Sequence, residues 1–241
     1  MDEHRARSQT DVVIDGVRDM ILDGSITAGS RLPVEKDLCE QLGVSRGSLR
    51  EGVRALVRLG VLETRQGDGT YVTDLDAATL FGPLSFLADL QTPEASVHLL
   101  TVRRILEPEA AALAATNIDD DALAAARAVL DRGDALLAEG DIDLEATIDV
   151  DAAFHAVVAR ASGNPAIEAL VQALIGRTAR ARLWRAIHEA GAVERTQREH
   201  RAILAALEDG DASKARIRMA VHVLGVEEYT ASQFVSAAAE D

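Results

Sequence analysis

Several features that would place the chain in other protein classes are missing from its sequence. Cys39 is the only cysteine among 241 residues, which excludes an intramolecular disulfide and leaves this side chain to pack as a small apolar group. No uninterrupted apolar stretch approaches the roughly 18 to 20 residues that a bilayer-spanning helix needs. No apolar signal segment follows Met1, because the chain begins MDEHRARSQT. We therefore expect a folded protein in the cytoplasm.

The chain also lacks an excess of basic residues. Its formal net charge of −15 argues at first against nucleic acid, whose phosphates select basic proteins. Counting Lys and Arg against Asp and Glu, residues 1–75 carry a net −3 and residues 76–241 a net −12. Residues 44–65 hold five arginines against two glutamates, a local +3. A basic stripe on one element matters more for DNA binding than the total charge.

The N-terminal segment has the pattern of a winged helix. Its first helix is predicted from about Thr10, as N-cap, to Asp23. The segments EKDLCEQLG and SRGSLREGVRALVRLG predict two short helices, with Gly43 suited to end the first and Ser45 suited to cap the second. The alternating VLETRQGDGTYV carries two glycines between β-prone runs, which predicts a hairpin. The sequence thus predicts a winged helix-turn-helix over residues 1–75.

The rest of the chain predicts a second domain, an all-α antiparallel helical bundle. A length of 241 residues favours two domains, and a hydrophobic content of 48% is ample for two cores. Residues 76–93 are predicted as a linker, in which Pro83 argues against one continuous helix. The bundle is predicted over 94–236, and turn residues such as SGNP at 162–165 divide it into helices. Residues 237–241 are predicted as a tail. Helices are predicted near 94–116, 120–138, 143–161, 165–189, 193–208 and 211–236.

Arginines recur along the second helix of the helix-turn-helix. In such a unit this helix enters the major groove of DNA by its N-terminal end. Arg46 and Arg50 are one turn apart at that end. Each step of four residues rotates the side-chain direction by about 40° around the helix axis, so Arg54 and Arg58 are expected to point away from the bases. Bidentate arginine to guanine is worth roughly 1 to 3 kcal/mol. The alternative is a solvated arginine face on an ordinary helix, but the caps, turn and hairpin in register favour DNA binding.

The segment LPVEKDLCEQLGVSRGSLREGVRALVRLGVLETRQGDGTYV resembles the winged-helix domain of the GntR family of bacterial transcription regulators, without a gap over 31–72. The chain departs from the family at Val34, which replaces a serine cap, and at Gly47, which replaces a larger residue. A lysine also replaces an arginine in the helix before the turn. The resemblance implies that the wing tip enters the minor groove and that DNA contacts are made by Lys36, Ser45, Arg46, Ser48, Arg50, Gln66 and Gly67.

Polar side chains also interrupt apolar runs in the predicted bundle. Asp151 and His155 in DAAFHAVV share one helix face, His200 lies in REHRAILAAL, and His222 lies in MAVHVLGV. A single inward histidine is more often a satisfied core residue, and the first two residues alone could satisfy each other. Burying four such groups on three helices without a common partner is costly. One carboxylate and three imidazoles suit Zn²⁺, Ni²⁺, Mn²⁺ or a similar ion, and the affinity order of divalent metals alone does not choose among them; Zn²⁺ is the expected metal, with Ni²⁺ or Mn²⁺ as alternatives.

This spacing resembles the FCD domain, the helical effector-binding domain that accompanies GntR winged helices in the FadR subfamily. The resemblance implies that Asp151, His155, His200 and His222 ligate a metal. VRRILEPEAAALAA resembles the first FCD helix and implies that Arg103 faces the effector pocket; the alternative is a surface arginine paired with Glu107. In RTARARLWR at 177–185, some arginines suit the pocket, but a solvated face is the favoured interpretation.

These features together predict a DNA-binding regulator controlled by a metabolite. The expected protein is a homodimer that represses a catabolic operon at palindromic half-sites and releases it when a small carboxylate binds the metal beside Arg103. The effector is expected to be a hydroxy acid, a sugar acid or a dicarboxylate. One alternative keeps the metal purely structural. The other is a helical metalloenzyme acting on an organic acid, but no general base is evident beside the ligands and an attached winged helix has no use there.

Overall fold

The computed structural model of the chain describes residues 8–77, 79, 81, 95–139 and 142–238. The chain divides into two compact units, Met1–Pro83 and Leu84–Asp241. The predicted linker falls largely outside the described residues, and so do Pro83 and the last three residues of the predicted tail. Each unit has its own buried apolar core.

The N-terminal unit is a winged helix-turn-helix, as predicted. Its elements are α1 (Gln9–Leu22), α2 (Glu35–Leu42), α3 (Arg46–Arg58), β1 (Leu62–Arg65) and β2 (Gly69–Val72). The two strands pair antiparallel, with Leu62 opposite Val72 and Arg65 opposite Gly69. A single bridge between Arg31 and Tyr71 adds the loop before α2 to this sheet.

Local capping chemistry sets the ends of these helices. Gly43 ends α2 in the left-handed conformation, with φ of 66°, and the Ser45 hydroxyl caps α3 by accepting a hydrogen bond from the Ser48 amide at 3.1 Å; both were predicted. The predicted cap of α1 at Thr10 is wrong. Ser8 caps that helix instead, because its hydroxyl and the Asp11 carboxylate exchange hydrogen bonds with each other's amides at 3.1 Å.

The core of this unit forms where α1 crosses α3. Val13 and Val17 are fully buried there, and Gly52 allows the close approach, since a Cβ at that position would lie 2.5 Å from Val13 Cγ1. Fully burying an aliphatic side chain of this kind stabilises a fold by about 1.5 to 3 kcal/mol. Cys39 packs half-buried against the same core, as expected of a small apolar group. The core thereby holds α3 with its N-terminal turn exposed.

The C-terminal unit is a helical bundle. Its helices are α4 (Ala95–Asn117), α5 (Asp120–Ala138), α6 (Leu144–Ala161), α7 (Pro165–His188), α8 (Ala192–Glu208) and α9 (Ala212–Ala238). The predicted break at SGNP is confirmed. Gly163 is left-handed with φ of 71°, the Asn164 side chain accepts from the amides of Ala166 and Ile167, and Pro165 opens α7.

Alanines line the centre of the bundle and let its helices approach closely around a few large side chains. Phe154, Leu130, Ile203 and Met219 are buried at this centre. Among the described residues, no helix combines the length and the apolarity that crossing a bilayer requires. The polar side chains predicted to point inward from α6, α8 and α9 are buried within this unit.

Candidate functional site

The N-terminal turn of α3 presents the predicted base-contacting arginines to solvent. The side chains of Arg46 and Arg50 are 72% and 64% exposed. Both are directed toward Glu35 at the start of α2: Arg50 donates from Nε and Nη2 to Glu35 Oε2 at 3.2 Å, and Arg46 Nε lies 3.9 Å from Oε1. The two arginines therefore share one intramolecular carboxylate, an arrangement that the sequence interpretation did not include.

The other predicted DNA-contacting residues also lie at the surface of this unit. Lys36 is exposed on α2, and Gln66 and Gly67 are exposed in the turn between the strands. Gly67 has φ of 77°, which a side chain disfavours. Ser45 is exposed and Ser48 half-buried, with their hydroxyls 2.9 Å apart. All seven predicted residues are thus within one folded unit and none is buried.

In the C-terminal unit, the four predicted ligands converge. Asp151 and His155 come from one face of α6, His200 from α8 and His222 from α9, and each is at most 4% exposed. Their candidate ligand atoms all lie within 4.8 Å of one another. His222 Nε2 is 3.2 Å from Nε2 of both His155 and His200, and Asp151 Oδ1 is 3.5 Å from His200 Nε2 and 3.9 Å from His155 Nε2.

In two of these imidazole rings, a carboxylate contacts Nδ1, the ring nitrogen that is not directed at the other candidate ligands. Glu107 on α4 contacts Nδ1 of His155, and Glu199 on α8 accepts from Nδ1 of His222 at 2.8 Å. Burial alone would raise the pKa of Glu107, but the positive charge of Arg103 and the contact with His155 hold that pKa well below its ordinary value. An ionised carboxylate at Nδ1 selects the tautomer whose Nε2 carries a lone pair.

That tautomer leaves an electrostatic conflict at the centre of the cluster. In that tautomer of both rings, Nε2 of His155 and Nε2 of His222 present lone pairs to each other across 3.2 Å. Burial lowers the pKa of His222 to about 4 and the pKa of His200 well below its ordinary value, which disfavours a proton on these two rings. Around a metal with bonds of about 2.1 Å, neighbouring ligand atoms lie roughly 3.0 to 3.4 Å apart, which includes the 3.2 Å between His222 Nε2 and Nε2 of each of the other two histidines. The residues present fit a divalent cation.

Arg103 is buried beside the cluster. Only 1% of it is exposed, and it donates to Glu107 from Nε and to Thr178 Oγ1 from Nη1, the latter at 2.7 Å. The alternative interpretation was correct in pairing it with Glu107 but wrong in placing it at the surface. Its observed contacts make it a support for the carboxylate that orients His155.

The arginine-rich stretch of α7 contributes two buried side chains. Arg182 and Arg185 are each 5% exposed, so the favoured interpretation of this stretch as a solvated face is wrong for them. Arg182 Nη1 contacts Asp151 Oδ2 and Nη2 donates to the Ile175 carbonyl at 2.7 Å. Burial, with a smaller effect of Arg103, lowers the pKa of Arg182 to about 9. Arg182 therefore ties α7 to the ligand set through Asp151.

A cavity of about 40 Å³ lies beside Asp151. Residues of α6, α7, α8 and α9 line it. The polar residues of this lining are two threonines, two arginines and one aspartate: Thr147, Thr196, Arg182, Arg185 and Asp151. The structure thus places a small pocket lined by two arginines next to Asp151, one of the four candidate metal ligands.

Both units match protein families. Residues 98–225 match the FCD domain, and residues 9–72 match the bacterial regulatory proteins of the gntR family. The HTH-type transcriptional regulator LutR of Bacillus subtilis is 31% identical over 220 residues, 89% of this chain and 98% of that protein. The putative L-lactate dehydrogenase operon regulatory protein of Escherichia coli is 32% identical over 90% of this chain and 84% of its own length.

Two further comparisons extend this likeness. The Glc operon transcriptional activator of Escherichia coli is 36% identical over 68% of this chain and 65% of the activator. The solved structure of Streptococcus agalactiae GntR covers 91% of this chain and 99% of its own, with a TM-score of 0.65 and 27% identity. The likeness therefore extends over both units.

Proposed function

The chain belongs to the gntR family of bacterial transcriptional regulators with an FCD domain, not to a family of enzymes, and from this premise we propose that it is a metal-dependent repressor released by a small carboxylate. The names of two relatives, a lactate dehydrogenase operon regulator and a glc operon activator, support a catabolic operon as its target. The proposal has three parts: a metal centre, an effector and operator DNA.

The metal centre carries most of the proposal. Its supporting observation is the 3.2 Å separation of His155 Nε2 and His222 Nε2 with a carboxylate at Nδ1 of each ring, an arrangement in which a bound cation would accept both Nε2 lone pairs. Asp151 and His200 complete the set, and three imidazoles with one carboxylate favour zinc, with nickel or manganese as alternatives. Arg182 holds Asp151 Oδ2, which leaves Oδ1 directed at the histidines.

The effector is proposed to be a small carboxylic acid that attaches beside this centre. A bound divalent metal supplies a Lewis acid for one carboxylate oxygen. The protein supplies the pocket next to Asp151 and the charges that neutralise the acid. Arg103 is the sequence-based candidate for that contact; to reach the effector it has to exchange its hydrogen bond to Thr178, whereas Arg182 and Arg185 already line the cavity.

Operator DNA is proposed to bind at α3 and the wing, with two copies of the chain on two half-sites. Arg46 and Arg50 would contact base edges, Lys36 a phosphate, and the Gln66–Gly67 turn the minor groove. Ser45 and Ser48 would contact the backbone or bases at the helix start. For Arg50 to reach a base it has to leave Glu35, and the high exposure of its side chain permits that exchange.

The metal is tested by replacing two of the candidate ligands, each alone, and a histidine outside the set. Asp151→Ala and His200→Ala should lower the divalent metal content of purified protein by most of its value, whereas His98→Ala, at an exposed position, should leave it unchanged. Mass spectrometry of the metal after gel filtration gives the measurement. Undiminished metal in Asp151→Ala returns the four residues to ordinary core packing.

The same His200→Ala protein separates an effector-binding metal from a structural one. A structural metal predicts a lower melting temperature with an unchanged response to small acids per folded molecule. An effector-binding metal predicts that the response itself disappears.

DNA binding and release are tested by gel shift on DNA from the region of this gene. Arg46→Gln and Arg50→Gln should each weaken specific binding by roughly 5- to 150-fold, the loss of one bidentate contact, while Arg58→Gln, exposed on the same helix, should change it little. Titration of metal-loaded protein with short acids should release the DNA. If no small acid changes operator affinity, the effector part of the proposal is wrong.

A further inference from the structure

One outer surface of the C-terminal unit is apolar although it is exposed to solvent. Six large aliphatic side chains on two helices, α4 and α9, are between 38% and 62% exposed. They are Val102, Ile105 and Leu113 on α4 and Ile217, Val221 and Leu224 on α9. The opposite sides of the same helices are buried in the bundle, where Ala114 and Met219 belong to one core. We call the six exposed side chains the aliphatic face.

Ion pairs between α4 and α9 define how the two helices run. Glu109 on α4 pairs with Arg216 on α9 at 2.7 Å. Arg104, earlier on α4, pairs with Glu227, later on α9, at 2.6 Å. The helices are therefore antiparallel neighbours. Because both cover the same core, their solvent sides form one continuous surface.

The spacing of the aliphatic side chains is that of a contact between helices. Val102 and Ile105 are three residues apart, and Val221 follows Ile217 by four residues and precedes Leu224 by three. Alternating steps of three and four place apolar side chains in a line along one side of a helix, as in coiled coils and four-helix bundles. Two antiparallel helices with such lines fit a second pair of the same kind.

The area of the aliphatic face is sufficient for a specific contact between two proteins. From their exposed fractions, the six side chains together present roughly 500 Å² of accessible surface, near the upper end for the largest apolar patch on a typical monomer. Two copies that bury this surface against each other remove about 1,000 Å² from water before any residue at the edge is counted, which is where specific interfaces begin.

Charges at the edge of the aliphatic face match those of a second copy turned by 180°. Arg218 and Glu228 are exposed on α9, and neither forms an ion pair with another described residue. They are ten residues apart, with Val223 midway between them. If α9 lies antiparallel to its copy, with the two-fold axis near Val223, each Arg218 faces Glu228 of the partner subunit. Opposite charges at equal distances from one point therefore favour a second copy of this chain as the occupant.

We propose that the aliphatic face is the contact between two copies of this chain, which pack through α4 and α9 as a four-helix arrangement with two Arg218–Glu228 pairs at its edges. The inference rests on the proposed function, which requires two copies on two half-sites, and it assigns the C-terminal unit as the part that holds them together. Two winged helices joined in this way bind an operator as one molecule.

The first test places a charge in the aliphatic face of the full-length protein. Wild type should have the mass of two chains by light scattering after gel filtration. Ile217→Asp should have the mass of one, with a dissociation constant of the dimer raised roughly 100-fold or more in sedimentation, because the two-fold contact would bury two unpaired carboxylates. Trp184→Asp is the matched control, since it adds the same charge at a residue of α7 that is 51% exposed, and it should remain a dimer.

The second test leaves the apolar side chains unchanged. Arg218→Glu and Glu228→Arg should each weaken the dimer roughly 5- to 50-fold at low salt, because each places like charges opposite one another twice. The double variant exchanges the two charges and should restore the wild-type dissociation constant. A general loss of stability would not be reversed in this way.

The outcomes distinguish this surface from the proposed function. A dimeric Ile217→Asp protein overturns the aliphatic face as the contact, as does a dimer that is lost in Trp184→Asp alone. A double variant that is no tighter than the single ones overturns the two-fold arrangement. Wild type that binds its operator with a single copy contradicts the proposed use of two half-sites instead. Single-chain mass in Ile217→Asp, with the helix content of wild type by circular dichroism, supports the contact.

Discussion

Replacing Glu199 by glutamine isolates the effect of a carboxylate that contacts the candidate ligand His222 but is not itself a candidate ligand. Glu199 Oε2 accepts from His222 Nδ1 at 2.8 Å, which fixes the ring and increases the electron density at Nε2. The glutamine side chain has the same size and retains an oxygen acceptor, so the ligand count and the fold should be preserved. Only the negative charge is removed.

The expected loss of metal affinity follows from that contact. Removing such an outer carboxylate typically costs 10- to 100-fold in metal affinity. Glu199 is 27% exposed, so solvent screens part of its charge and we expect the lower end, about tenfold or roughly 1.4 kcal/mol. Competition between the protein and a chromophoric zinc chelator measures this difference directly.

Glu194→Gln provides the matched control for this experiment. Glu194 lies exposed in the first turn of the same helix, so its replacement removes the same charge without touching His222. If Glu199→Gln and Glu194→Gln have equal zinc affinities, the carboxylate does not tune the centre. The tautomer argument for His222 is then wrong.

Three further predictions concern stability and DNA binding. Without metal, the free energy of unfolding should fall by on the order of 3 kcal/mol from pH 6.5 to pH 4, because the pKa of His222 is near 6.5 in the unfolded chain and near 4 in the folded protein. Urea denaturation of wild type and His222→Gln over this pH range measures the difference. An equal dependence of the two free energies on pH contradicts the prediction. Glu35→Gln should tighten DNA binding up to about fivefold at low salt by releasing Arg50; weaker binding in gel shifts means that Glu35 instead positions the arginine. Gly52→Ala should destabilise the winged helix by about 1 to 3 kcal/mol through contact with Val13, whereas Gly47→Ala, which meets nothing closer than 3.7 Å, should not; equal melting temperatures refute this.

Local rules were sufficient for much of the fold. Ser45 and Asn164 accept hydrogen bonds from amides two or three residues away, and Gly43 adopts the left-handed conformation that glycine favours, so the roles of all three are visible in the sequence itself. The predicted cap of α1, at Thr10, is wrong by two residues. Ser8 forms the cap because Asp11 completes a reciprocal pair with it, while Thr10 donates instead to Glu51.

The candidate ligands were predictable for a different reason. Asp151 and His155 are four residues apart on an apolar helix face, and two more histidines interrupt apolar faces of other helices. A polar group on an otherwise buried face needs a partner, so the pattern itself indicated convergence. The resemblance to the FCD domain then supplied the pairing of the three helices, which spacing alone does not give.

The supporting side chains depend on how helices pack and were not predicted. Val171, Ile175, Thr178, Arg182 and Arg185 are buried along one stripe of α7, at spacings of three and four residues. Extending the apolar stripe by this period would have indicated that the two arginines point inward. Their charge argued for solvent instead, and only the neighbouring carboxylate and cavity, contributed by other helices, explain their burial.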